Sequence, residues 1–129
     1  MDKLAHDEIR LTLPAAPPFA HIANAAAAGL ATRLGFRTGE IDELRVAIAE
    51  VWTLVSADAH IDDTVTVTLG VEPDGLSVDL FAGCAGIAPA SRHAGLAVVL
   101  ATLAGVVDEH DVSDDHRRVH LRKARHDAS

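Results

Sequence analysis

Two alternating segments and the turn between them limit what this chain can fold into. Val65, Val67, Leu69 and Val71 alternate with Thr64, Thr66, Thr68 and Gly70, and Leu76, Val78 and Leu80 resume the same period after Pro73-Asp74-Gly75. A period of two belongs to a strand with one buried face, and Pro-Asp-Gly is turn chemistry, so the spacing predicts an antiparallel hairpin. A sheet with one apolar face must cover it with a second layer. Glu8 to Leu13 alternates in the same way, with Ile9, Leu11 and Leu13 opposite Arg10 and Thr12, and Pro14 stops it.

The covering layer is legible as helices. Pro17-Pro18 suits a helix entry, alanine dominates the stretch from Phe19 to Leu34, and Gly35 stands where a left-handed C-terminal cap is expected. Thr38 is the expected N-cap of a second helix, with Glu40, Asp42 and Glu43 complementing its dipole. Ile41, Leu44, Ile48, Val51, Trp52 and Val55 then recur at helical spacing, to about Ala59. The stretch Ala82 to His93 holds Gly83, Gly86 and Pro89 and is expected to be a loop, followed by a third helix over roughly Ala94 to Val107. A last strand is expected near His116 to Lys123, with Asp127 to Ser129 fraying. The order β-α-α-β-β-α-β predicts one α/β domain across residues 1–129, its core at about 8–123. It is an α+β two-layer sandwich, with helices on one face of a mixed, mostly antiparallel sheet.

Composition narrows the function. With 49% hydrophobic residues the chain can fill a core, and with 3% aromatic residues it has no platform for stacking bases. A formal net charge of -8 opposes a phosphate backbone, so direct nucleic-acid binding is not expected. The single cysteine, Cys84, is expected to be a buried structural thiol in a reducing compartment. The acidic start from Met1 to Glu8 lacks the apolar stretch of a signal peptide, and no apolar run is long enough for a membrane span. A cytoplasmic protein follows from these readings.

Several residues invite more than one reading. His116 and His120 on one strand face would sit roughly 13 Å apart, too far to share a metal, and His110 is expected in a turn. Scattered surface histidines and no metal are the result. Trp52 is expected to serve core or dimer packing. Arg117, Arg118, Arg122, Lys123 and Arg125 gather in the last strand and tail. They suit a docking edge for an acidic partner or, by slight preference, an edge strand protected by charge. The run Ala25 to Gly29 must pack closely against something, either the sheet or a second subunit.

The helix Leu44-Arg45-Val46-Ala47-Ile48-Ala49-Glu50-Val51-Trp52-Thr53, within this element order, resembles the anti-sigma regulatory serine kinases of the GHKL ATPase superfamily. The resemblance extends from Ile9 to Lys123. In that family the helix carries a Glu and, four residues on, an Asn that holds magnesium on the triphosphate. Residues four apart share a helix face. Glu50 matches the Glu, but Leu54 stands at the Asn position, and Asp58 stands where a His is often found, with His60 close by. The adenine-binding Asp-x-Gly-x-Gly should fall in Leu80 to Gly86. With Phe81 at the Asp position Gly83 matches; with Ala82 there, Gly86 matches and Cys84 replaces the other glycine. Neither register has a carboxylate, and Asp79 comes two residues early. The phosphate-cradling segment is represented by Gly95-Leu96-Ala97, expected at the start of the last helix, with Arg92 and His93 before it.

The resemblance implies a regulator of bacterial transcription that binds a sigma factor or an anti-sigma antagonist and pairs as a homodimer. The departures imply lost or weak ATP binding, a vestigial Glu50, weak nucleotide contacts at Gly83, Gly86 and Gly95, and no cofactor. The alternatives are an active serine/threonine kinase using Mg-ATP or ADP, with Asp58 or Asp79 as substitute ligands, and a non-catalytic dimer partner of an intact kinase.

Overall fold

A computed structural model describes residues 7–57, 62–83, 90–114 and 117–126, the side chains of 90–94 excepted. In chain order the elements are β1 (Glu8–Pro14), α1 (Ala20–Arg33), α2 (Thr38–Val55), β2 (Thr64–Glu72), β3 (Gly75–Ala82), α3 (Ala90–Val106), β4 (Glu109–Val112) and β5 (Arg118–Ala124). A short 3-10 turn at Pro17–Phe19 leads into α1. The strands form one sheet in the order β1-β2-β3-β5-β4. It is the expected α+β sandwich. Every ladder is antiparallel, so the sheet is not mixed.

The register explains the alternation. Leu11 faces Val67, Val67 faces Leu80, and Leu80 faces Val119, so one apolar row crosses four strands. Val65, Val67, Leu69, Leu76, Val78, Leu80, Val119 and Leu121 are buried beneath the helices. The opposite face carries Arg10, Thr68, Asp79 and His120 in one row, and Thr12, Thr66, Phe81 and Arg118 in the next. Helix α2 lies across β3 and β5, with α1 on one flank, and α3 on the other reaches toward β4.

The alanines of α1 are used in the core. Ala23, Ala27, Ala28 and Ala31 are buried at helical spacing, which lets α1 lie close to α2. Trp52 is buried in the same core. The end of α1 is closed by a Schellman motif. Gly35 has φ 89°, its N–H donates to Thr32 O at 3.2 Å, and the Phe36 N–H donates to Ala31 O at 3.0 Å. Phe36 is then buried against the core, completing the motif's apolar contact.

Five features differ from the sequence-based expectation. Arg37, not Thr38, caps α2, and α2 ends at Val55. Helix α3 begins at Ala90 rather than near Ala94. His110 lies in a strand, β4, rather than in a turn. Finally, β5 is paired on both sides, so its basic residues do not guard an edge.

Replacing Gly35 with Ala forces a Cβ into the left-handed region, which costs about 1 kcal/mol. Urea denaturation of Gly35→Ala should show a lower midpoint with an unchanged slope.

Candidate functional site

The resemblance places its machinery on α2, after β3 and at the start of α3. Residues Glu43, Ala47, Glu50 and Leu54 form one stripe of α2 at three- and four-residue spacing. Glu43 on that stripe reaches Lys123, which also holds the carbonyl of Val106 at the end of α3, so the stripe runs along the α3 side. Glu50 is half-buried, and among the described residues its carboxylate has no hydrogen-bond or ion-pair partner. One turn further on, Leu54 is only 3% exposed and belongs to the hydrophobic core. It offers no oxygen to a metal ion.

The two possible registers of the adenine motif now point in different directions. Phe81 projects from the helix-free face of the sheet, where the Arg118 guanidinium lies 4.7 Å from its ring centre. Ala82 projects beneath the helices and is buried, but it is a methyl group with nothing to accept an amino proton. Gly83 extends the hairpin by one bond, its N–H donating to Thr64 O at 2.8 Å. Asp79 sits on the helix-free face with its Oδ1 2.9 Å from His120 Nδ1, away from α2. Gly95 lies inside α3 rather than at its start. Its amide therefore falls beyond the four free N–H groups of a helix N-terminus. Cys84 and Gly86, like Asp58, His60 and His116, lie outside the described residues. Among the described residues, Leu54 and Ala82 are buried and apolar and present no side-chain oxygen.

Sequence reasoning missed a denser polar cluster around the end of β5. Lys123 is 4% exposed, and its Nζ donates to Glu43 Oε1 at 2.5 Å and to Val106 O at 2.6 Å. Arg122 donates to Glu72 Oε1 at 2.6 Å and Asp74 Oδ1 at 2.7 Å, contacts that raise its already high pKa. The Arg125 Nη1 donates to Leu34 O, the C-cap of α1, at 2.8 Å. The Ala124 N–H donates to Asp108 Oδ2 at 2.7 Å. Lysine and arginine at two helix C-termini satisfy free carbonyls and meet the negative ends of the dipoles. Lys123 and Arg122 are committed to partners within the chain and form no free docking edge, whereas Arg118 is exposed on the helix-free face.

Glu40 completes this clasp. Its Oε1 accepts the Arg37 N–H at 2.8 Å, and its Oε2 accepts the His126 N–H at 2.9 Å with His126 Nδ1 at 3.2 Å. Burial pushes its carboxyl pKa up, but the backbone bonds from Arg37 and His126, the His126 ring and the Arg37 charge together hold it below its ordinary 4.5.

A separate hollow of about 390 Å³ opens on the helix-free face, lined by Arg10, Thr12, Thr66, Thr68, Asp79, Phe81 and Arg118. The alternation placed these side chains on one face, but nothing in their spacing marked them as a group. No described helix is long and apolar enough to cross a membrane.

No protein-family model matches the chain. The chain is similar to serine-protein kinases. The proteins named serine-protein kinase RsbW from Bacillus velezensis and Bacillus subtilis are each 32% identical to it over 75 residues, covering 56% of this chain and 47% of the relative. The RsbW of Bacillus cereus is 28% identical over 74 residues, covering 56% of this chain and 46% of its own. The chain thus spans about half the length of the curated relatives it matches.

The depressed Glu40 pKa sets a pH dependence. A carboxyl ionising more easily folded than unfolded adds stability above its unfolded pKa and loses it as pH falls through the folded value. Stability should therefore decline below about pH 4.5. Glu40→Gln should cost about 2 kcal/mol at neutral pH and flatten that acid decline, measured by urea denaturation across pH. A variant with the parent's acid slope would show that Glu40 does not drive it.

Proposed function

We propose that this chain is a regulatory module of the anti-sigma type, acting in bacterial transcription by binding protein and retaining little or no affinity for ATP. Its partners are a sigma factor or the antagonist of an anti-sigma factor, and it pairs as a homodimer. The similarity to serine-protein kinases RsbW and the α+β sandwich support the family reading.

The observation that carries the loss of nucleotide is Leu54. A magnesium-holding position must present oxygen to a solvated cavity. Here that position is a leucine packed into the core, four residues after a Glu50 left without a partner among the described residues. Ala82 supports the same reading, since the position that faces the helices after β3 is apolar.

Isothermal titration calorimetry with ATP and ADP, with and without magnesium, tests this directly. We expect no binding heat at millimolar nucleotide. Micromolar, magnesium-dependent binding would restore the active serine/threonine kinase, with Glu50→Gln then expected to abolish phosphorylation of the antagonist. Recovery of a catalytically intact kinase chain bound to the protein would instead favour a non-catalytic dimer partner.

Restoring the amide should damage the fold rather than rebuild a site. Leu54→Asn buries a polar group where apolar contacts are lost, at about 3 kcal/mol. A denaturation midpoint equal to that of the parent would place residue 54 in an open, solvated cavity and sink the proposal.

A further inference from the structure

Among the described residues β4 is an edge of the sheet, and its outer side borders a groove. Its neighbour β5 is paired with it through Glu109, Asp111 and Ser113. The register sets Glu109 opposite Arg122 and Asp111 opposite His120, and the Ser113 N–H donates to Arg118 O at 2.9 Å. In an antiparallel ladder alternate residues turn their backbone groups to opposite sides. The N–H and C=O groups of His110 and Val112 therefore point outward, and β4 has no further strand beyond it among the described residues.

Beside this edge lies a groove of about 370 Å³, lined by Leu96 and Leu100 of α3 and by His110 to Asp114. The two faces of β4 differ in chemistry. Val112 and His110 lie on the helix side, opposite the buried Val119 and Leu121, next to the two leucines. Glu109 and Asp111 lie on the other side, and among the described residues neither has an ion-pair partner.

We propose that the β4 edge is a docking site for an extended segment of a partner protein in which apolar and basic residues alternate. Adding such a strand pairs the outward backbone groups of His110 and Val112. Its apolar side chains enter the groove against Leu96, Leu100 and Val112, and its lysines or arginines stand opposite Glu109 and Asp111, where opposite charges stabilise a cross-strand pair. A second copy of the same edge is a poor occupant. Self-pairing of β4 about His110 sets Glu109 against Asp111, and pairing about Asp111 sets that carboxylate against itself; like charges so placed repel. The inference goes beyond the regulatory reading above and holds whether or not nucleotide binds.

The probe is a fluorescein-labelled octapeptide alternating lysine and valine, titrated against the full chain by fluorescence anisotropy. Two controls accompany it: a peptide of the same composition with its lysines and valines in separate blocks, and an alternating glutamate–valine peptide. The alternating lysine peptide should bind about tenfold more tightly than the block peptide, a difference of about 1.4 kcal/mol. Asp111→Lys should weaken it by about tenfold and make the glutamate peptide the better ligand. Val112→Pro, which removes an outward N–H, should weaken both alternating peptides alike. Circular dichroism checks that each variant folds, and Asp111→Lys carries the test if Val112→Pro does not. Equal affinity for the block peptide, unchanged affinity in Asp111→Lys, or no binding at millimolar alternating peptide would each overturn the proposal.

Discussion

A single buried ammonium ties the two layers of this protein together. Lys123 leaves β5 on the apolar side of the sheet, where its strand neighbours Val119 and Leu121 are wholly buried. A charge there is tolerable only if it is paired and hydrogen-bonded. The partners come from different elements: the Glu43 carboxylate from the first half of α2, and the Val106 carbonyl from the last turn of α3. Removing either partner leaves a buried charge under-satisfied, so the positions of both helices are coupled to the register of β5. Arg125 repeats the device at the end of α1 and Glu40 at the start of α2.

This clasp also explains why an acidic chain keeps its cations together. Helix ends expose carbonyls with partial negative charge, and two of the three helices end near the C-terminal part of β5. Arg122, on the other face, holds Glu72 and Asp74 around the hairpin turn, and the Arg125 N–H donates to Asp74 O at 2.7 Å. Gly75 lies close to this seam. A Cβ built there would come within 2.5 Å of the Lys123 carbonyl, so β3 and β5 approach as closely as they do only because that side chain is absent. Sequence clustering of basic residues suggested one external surface, and the three-dimensional arrangement divides it: Lys123 is buried under the helices, while Arg122 pairs with carboxylates and Arg118 is exposed on the other face.

The parts of the fold legible in the sequence are those whose signal repeats within a few residues. The hairpin of β2 and β3 announces itself through seven alternating apolar residues and a turn, and α2 through its apolar stripe from Ile41 to Val55. Strand β4 has no such signal, because Glu109-His110-Asp111-Val112 offers a single aliphatic residue and takes its conformation from pairing with β5. The early start of α3 was hidden by Gly83 and Gly86, although Pro89 directly before Ala90 is an entry signal. The clasp could not be read at all: Lys123 and Glu43 are 80 residues apart, and Arg125 and Leu34 are 91 apart. In the candidate site, the spacing of Glu50 and Leu54 was legible as a shared helix face. The burial of Leu54 and the opposite directions of Phe81 and Ala82 required the packed structure.

The proposed loss of nucleotide binding agrees with what a core demands. A nucleotide pocket between helices is a hydrated cavity held open by polar side chains, and such cavities subtract from the apolar area a small domain can bury. Leu54 of α2, Ala82 at the end of β3, and Val99 and Leu103 of α3 all belong to the hydrophobic core. Active sites commonly sacrifice stability for chemistry, and under the proposed reading packing is free to fill that space. Glu50, half-buried and without a partner among the described residues, sits one turn from the buried Leu54. Its carboxylate can remain because partial exposure leaves it hydrated, whereas a polar group at position 54 would have no water to compensate its burial.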